Sequence, residues 1–489
     1  MNPIVLLCAL TMIALTVQPS ATAAPRLVFA HYVLWNADYG KSIDGDPVKG
    51  YMRDIREAQA AGIDGFALDL GAWSAQPYYQ PNMDNMFEAA ARLNTDFKLF
   101  YSADYGPTYL TAADIREIMR RYLYNPRLSP FYFRYNGRPV LSTYGGELQG
   151  GGGTGAAAWW KNEVLAPLRA GTEPGDPPAT GLAPIDPFFV PLFFVRGVPR
   201  PEMPVYEDVL NKPGCSYNAW WSYVVDGLFN WAIAGLPVAP CVEPNGVNLS
   251  TITTSQAYAR VAHEHGKLSM GLCAPQFWWN SGKAIGRRYY EYCGGAGIRN
   301  KWMSIIDVEK PEWVELVTWN DFHEATHWSP IDDPAKYGGV HESAGFVKTH
   351  AGAYELLKYY IEWYKSGKRP AIKRDAIYWF YRTHPMDAVA PNDPLGPVTA
   401  RYGPVADKIY VTCNLTAPAT LIVTTGGQER RVDVPAGSAD IDVPFTPGAQ
   451  SFELTRNGQS VLKGTGEPIV QQIERYDFIY TTGFARASD

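Results

Sequence analysis

The chain reads as an α/β protein, a (β/α)8 TIM barrel followed by a C-terminal all-β sandwich, and three observations predict this. Eight short apolar runs recur at 27–32, 65–70, 99–102, 140–143, 188–195, 223–229, 268–272 and 314–319. Segments with apolar residues at helical spacing lie between them, which is the pattern of repeated βα units. After Gly367-Lys368-Arg369-Pro370 the helical patterns give way to short alternating runs.

In chain order, residues 4–17 form an apolar stretch followed by small residues at Ala21 and Ala23. This predicts a secretory signal peptide over 1–23, cleaved before Ala24. The stretch is shorter than the roughly 20 residues a spanning helix needs, and no later stretch qualifies. The mature chain is therefore expected to be secreted, or at least extracytoplasmic, with no membrane contact after signal cleavage.

The catalytic barrel is expected over 24–370. Its runs start roughly 34 to 48 residues apart and span about 340 residues, which suits a barrel with long loops. Residues 51–61 carry helical spacing and stop at Gly62, and 350–364 form a second such segment after the last run. The glycine-rich stretch 150–155 reads as a barrel loop. Beyond it, 408–415, 419–425, 428–434 and 451–462 read as strands, with Gly426-Gly427 and Asn457-Gly458 as two-residue turns that tolerate positive φ. This predicts a β-sandwich domain over 371–489, acting as a buttress rather than a binding module.

Composition narrows the function. With 46% hydrophobic and 19% charged residues in 489, the chain is too apolar to be disordered. A net charge of −6 offers no broad cationic surface, so no nucleic-acid partner is expected. Aromatic residues make up 13%, with 31 Tyr and 15 Trp, and flat amphipathic rings suit a groove for sugars. Loss of Cys8 with the leader leaves Cys215, Cys241, Cys273, Cys293 and Cys413, none in C-x-x-C spacing. Cys215 with Cys241 is the first pairing expected, and the odd count leaves at least one thiol free or paired elsewhere. Asn248 and Asn414 open N-x-S/T sequons that read as chance occurrences. A monomer is expected.

In a barrel, chemistry sits at the carboxyl ends of strands. Polar residues ending the runs are His31, Asp69, Asp104, Glu147, Asp226, Gln276, Asn320, Asp321 and Glu324. Asp321 and Glu324 form a D-x-x-E pair flanked by Trp319, Phe322 and Trp328. Glycoside hydrolysis needs one carboxylic acid to protonate the leaving oxygen and one carboxylate to activate water or attack the sugar. Two neighbouring carboxyls against apolar rings supply that asymmetry, because ionising one raises the pKa of the other. Their spacing brackets both retaining and inverting geometries. The same residues also spell His323-Glu324-Ala325-Thr326-His327, an H-E-x-x-H zinc motif. That motif works only inside a helix, whereas here a strand-like run precedes it and Pro330 and Pro334 follow.

Several stretches resemble glycoside hydrolase family 71, the endo-acting α-1,3-glucanases or mutanases. They are Val28-Phe29-Ala30-His31, Ala61-Gly62-Ile63-Asp64-Gly65-Phe66-Ala67-Leu68-Asp69, Val225-Asp226-Gly227-Leu228-Phe229-Asn230-Trp231 and the run from Pro311 through Trp319-Asn320-Asp321. Trp379-Phe380-Tyr381-Arg382-Thr383-His384-Pro385 resembles the start of that family's β domain. The resemblance implies a polysaccharide substrate, α-1,3-glucan, inverting hydrolysis, and no metal or cofactor. It also implies Glu324 as general acid and Asp321 as general base. The chain departs from the family at Phe322-His323-Glu324-Ala325, where W-N-D-Y-G-E-S is usual, and at Asp69, where Asn is usual. Its His323-Glu324 is similar to a stretch of family 99, the endo-α-mannosidases and mannanases, so an α-mannan hydrolase is the alternative. A non-catalytic polysaccharide-binding protein is a further one.

Around the pair, His31 and Asp69 are expected to contact substrate or position the acid, with Asp104, Asp226, Gln276, Asn320 and His323 lining the wall. Trp35, Trp73, Trp231, Trp278 and Trp279 follow strand ends, and two or three of the five are expected to stack on sugar rings. Cys273 is expected to be a packed core residue.

Overall fold

Buried backbone polar groups need partners, and a sheet with both faces covered satisfies them through strand-to-strand bonds. The computed structural model describes residues 25–36, 40–104, 110–146, 153–173, 181–192, 224–229, 231, 251–280, 287–331, 334, 340–341, 345–398, 400–403 and 405–487. Among them, eight parallel strands form the main sheet. They are β1 Leu27–Val33, β2 Gly65–Leu70, β3 Lys98–Asp104 and β4 Arg138–Tyr144, then β5 Phe188–Pro191, β6 Gly227–Phe229, β7 Leu268–Cys273 and β8 Trp313–Leu316.

The pairing order is β6-β7-β8-β1-β2-β3-β4-β5, so the last strand lies beside the first. The two outermost strands also touch. A parallel bridge joins Leu192 to Phe229, and the Asp226 N–H donates to the Phe189 carbonyl at 2.8 Å. Helices Lys49–Ala60, Tyr79–Leu93, Ala112–Leu123, Thr251–Glu264 and Ala351–Ser366 alternate with or follow the strands. The third opens with a capping box in which Thr111 and Asp114 satisfy each other's backbone N–H groups.

Alternation along the strands sorts the site from the core. On β1, Tyr32 points outward and its hydroxyl donates to Asp54 of helix 49–60 at 2.8 Å. Phe29 points the other way and meets Phe100 of β3 and Trp313 of β8 edge-on, with ring centroids 5.0 and 5.7 Å away. These rings fill the amino-terminal half of the inner face. One pleat further along the same strands stand His31, Ser102 and Glu315. Gly65 of β2 leaves room for this packing, since a Cβ there would lie 2.2 Å from the Lys98 carbonyl oxygen.

The C-terminal region holds two antiparallel sheets of four strands. One has the order Gly437–Pro444, Lys408–Leu415, Ala376–Arg382, Tyr480–Arg486; the other Gln428–Val434, Ala419–Thr425, Gly448–Arg456, Gln459–Ile469. Trp379 stacks on Phe452 between them at 4.4 Å. Gly426, Gly427, Asn457 and Gly458 all take positive φ in the two-residue hairpin turns.

Three joints tie this region to the main sheet. Phe277–Trp279, Arg288–Tyr290 and Ala400–Tyr402 form a small shared sheet. Arg382 pairs with Glu291 at 3.0 Å, both fully buried, and the Tyr480 hydroxyl donates to the same carboxylate. Arg287 pairs with Asp393, also at 3.0 Å.

Cys273 and Cys413 are buried free thiols, and Cys293 is disulfide-bonded. The expected Cys215–Cys241 pair, the leader over 1–23, Glu147, Asn248, residues 150–152 of the glycine-rich stretch and residues 193–195 and 223 lie outside the described residues, while 153–155 of that stretch open the helix Gly153–Trp159 rather than forming a loop. Asn414 is buried within a strand. Among the described residues no helix is long and apolar enough to cross a membrane. Because Arg382 is the cation beside buried Glu291, Arg382→Met is expected to lower unfolding free energy by about 3 kcal/mol or more. Urea titration checks this, and an unchanged midpoint would contradict the role given to the pair.

Candidate active site

Strand β8 stops at Leu316, and the chain then folds back on itself. The Thr318 N–H donates to the Thr326 carbonyl at 2.9 Å, and the Trp328 N–H donates to the Thr318 carbonyl at 2.8 Å. The Thr318 hydroxyl accepts the Asp321 N–H at 2.7 Å and lies 3.1 Å from the Thr326 hydroxyl. This turn is anchored to the end of β1. The Trp319 N–H donates to the His31 carbonyl at 2.6 Å, while the Asn320 amide accepts the Val33 N–H at 2.8 Å and donates to its carbonyl at 2.9 Å.

Within the turn, Asp321 Oδ1 accepts the N–H groups of His323 at 2.9 Å and Glu324 at 3.0 Å. The D-x-x-E spacing is thus an Asx-type turn in which the first carboxylate grips the backbone of the second residue. Ala325 takes a φ of +55°, and the Glu324 carbonyl accepts the Trp278 N–H at 2.8 Å.

Both acids are half-buried at the surface but surrounded by protein. Burial pushes Asp321 up to about 6, against the pull of its two N–H bonds and the positive charge of His31. Burial, followed by repulsion from Asp321, pushes Glu324 higher, to about 8, against Arg288 and His31. Between those values the pair holds a single proton, carried mainly by Glu324.

His31 lies beneath the turn. Its Nδ1 is 2.6 Å from Glu315 Oε1 and its Nε2 is 3.5 Å from Asp69 Oδ1. Burial alone would lower its pKa, but the two carboxylates outweigh burial and raise it to about 10. Trp231 covers the imidazole edge-on at 4.8 Å and meets Tyr144 at 4.9 Å. Burial and the charges of Glu324, Asp104, Asp69 and Asp321 keep the Tyr144 phenol protonated. Trp35 sits edge-on to His323 at 4.4 Å.

The structure therefore gathers His31, Asp69, Asp104, Trp35, Trp231, His323, Asp321 and Glu324 at the carboxyl ends of the strands, with Trp279 beside Arg288 in the adjoining small sheet. It adds Glu315, Tyr144 and Arg288, which the sequence reading passed over. Tyr144 ends the fourth strand and could have been found by the strand-end rule, whereas Glu315 is hidden inside an apolar run.

Five of the residues expected to contact substrate lie elsewhere or are engaged. Asp226 precedes β6, at the opposite end of the sheet, where Arg138 holds it with bonds of 2.7 and 2.8 Å. Trp73 is fully buried, and its indole N–H donates to Glu117 at 3.0 Å. Trp278 is fully buried against Phe478. Gln276 accepts the Tyr480 N–H at 2.8 Å and lies 2.6 Å from His350 Nε2, so it joins the sheet to the C-terminal region. Asn320 lies in the turn beside Asp321, but its amide is spent on Val33. The H-E-x-x-H residues form a turn rather than a helix, and His327 stacks on His350 at 3.6 Å while His323 faces Trp35.

A sequence model described as Glycosyl hydrolase family 71 matches residues 24–488. The chain belongs to this family. It is 27% identical to Glucan endo-1,3-alpha-glucosidase agn1 of Schizosaccharomyces pombe, over 94% of this chain and 95% of that protein. It is 26% identical to Mutanase Pc12g07500 of Penicillium rubens, over 99% of this chain and 94% of the other. A solved GH99 endo-alpha-mannosidase from Bacteroides thetaiotaomicron is similar at a TM-score of 0.46 and 14% identity, covering 70% of this chain and 98% of that one.

For this family member, Asp226→Asn is expected to cost about 1–2 kcal/mol of stability by weakening the Arg138 pair, with KM unchanged. Paired denaturation and steady-state measurements check this, and a raised KM at normal stability would return Asp226 to the substrate wall.

Proposed function

We propose that this chain is a secreted endo-1,3-α-glucosidase that cleaves α-1,3-glucan with inversion, using Glu324 as general acid and Asp321 as general base. The observation that carries this reading is the carboxyl pair, whose surroundings leave one proton on Glu324 while Asp321 is ionised. Glu324 donates that proton to the glycosidic oxygen as the bond to the anomeric carbon breaks. Asp321 takes a proton from the water that attacks the same carbon from the opposite face. The new reducing end is then a β-anomer. Relatives named as a glucan endo-1,3-alpha-glucosidase and a mutanase, each aligned over more than nine-tenths of this chain, support the choice of substrate.

In this reading His31, Asp69, Asp104, His323 and Tyr144 face the sugar hydroxyls, and Trp35, Trp231 and Trp279 offer ring faces or edges. No cofactor takes part. The eight strands close into a (β/α)8 barrel over 24–370, a closure supported by the Leu192–Phe229 bridge. Residues 371–489 form the β-sandwich domain, 1–23 are the export leader, and the mature protein acts as a monomer.

Product release from insoluble α-1,3-glucan, with α-mannan alongside, tests the substrate and both carboxyls. Wild type is expected to act on the glucan, and Glu324→Gln and Asp321→Asn to lower turnover by about 10²–10⁴ with melting unchanged. Release from mannan alone, or near-normal turnover by Asp321→Asn, would contradict the proposal. The pH profile of kcat/KM is expected to be bell-shaped. Activity falls below about 6 as Asp321 gains its proton, and above about 8 as Glu324 loses its own. A profile flat across both limbs would contradict these roles.

A further inference from the structure

Glu315 is not itself among the expected substrate contacts, yet it is completely buried on the inner face of β8, beneath the catalytic turn. A buried carboxylate needs a partner, and its partner is His31, through the 2.6 Å contact to Nδ1. The other ring nitrogen faces Asp69 at 3.5 Å, an ion-pair distance. A neutral imidazole has one N–H and one lone pair, so it can donate to only one of two carboxylates. With an acidic group at each nitrogen, the ring satisfies both only as an imidazolium.

We propose that Glu315 is a positioning residue that, with Asp69, holds His31 as a permanent imidazolium, and that this buried cation acts together with the His323 and Glu324 N–H groups to keep Asp321 ionised beside Glu324. The inference rests on the catalytic reading above and assigns the charge that makes it work. The groups facing His31 are Glu315 of β8, Asp69 of β2 and, from the turn above, Asp321 and Glu324, while Trp231 covers the ring. Arg288 is the second cation, and it acts on Glu324 from the small sheet. Asp69, Glu315, Asp321 and Glu324 thus share one interior neighbourhood. Without His31 as a cation, Asp321 would keep its proton to higher pH, and the general base would be lost on the acid side.

Two measurements test this, one independent of activity. In protein labelled with 15N-histidine and assigned by His31→Gln, both His31 nitrogens are expected to stay protonated from pH 5 to 9. Glu315→Gln keeps the side-chain shape but removes the charge, and it is expected to bring the His31 titration into that range. A neutral His31 at pH 7 in wild type, with the shared proton on Glu315, would overturn the proposal whether or not the protein acts on glucan. In the pH profile, His31→Gln is expected to move the acid limb upward by about half to one unit. A uniform loss of rate with the acid limb unmoved would also overturn it. If no glucan is hydrolysed but wild-type His31 stays doubly protonated, the charge arrangement stands and the substrate reading fails.

Discussion

Holding two carboxyl groups side by side within protein is unfavourable, because each raises the cost of ionising the other and burial penalises both charges. The turn over residues 318–328 is what enforces that arrangement. Its bonds run from Thr318 to Thr326 and Trp328, from the Asp321 carboxylate to the N–H groups of His323 and Glu324, and from Trp319 to the end of β1. Both acids are thereby fixed by backbone bonds rather than by loop packing alone. The same Asp321 oxygen that shapes the turn belongs to the group given the role of base, so geometry and protonation state are linked in one side chain.

The strands beneath set what this turn faces. Because side chains alternate, the apolar rings of Phe29, Phe100 and Trp313 occupy one layer of the inner face and His31 and Glu315 the next. Both layers are buried. The C-terminal sheets reach this environment as well. Arg288, which lowers the cost of ionising Glu324, sits on a strand paired with Ala400–Tyr402, and the neighbouring Glu291 is locked by Arg382 and Tyr480. The β region therefore helps to position a cation that acts on Glu324.

Much of this was legible in the sequence. The apolar runs marked the strands because strands buried on both faces leave a hydrophobic trace, and the D-x-x-E pair stood out because it ends the last run. The less legible parts follow from physical limits. Asp226 falls inside the apolar stretch 223–229, but β6 begins after it, so the carboxylate lies at the wrong end of the strand and meets Arg138. Trp73 and Trp278 follow strands yet point into the core, since spacing does not fix the direction of an indole. Gln276 and Asn320 were expected on the substrate wall, but their amides answer backbone groups across the fold. Glu315 was invisible as a charge inside an apolar run, because only its partner, 284 residues away in sequence, explains its burial.

The central claim is that the Asp321–Glu324 turn is where a glycosidic bond is cleaved. Its most direct test is a crystal structure of Glu324→Gln with an α-1,3-linked glucose oligomer bound. The account predicts a glycosidic oxygen within hydrogen-bond reach of the side chain at 324, and a water held by Asp321 on the opposite face of the ring. An oligomer bound only on the C-terminal sheets, or one whose linkages all lie far from 321 and 324, would contradict it.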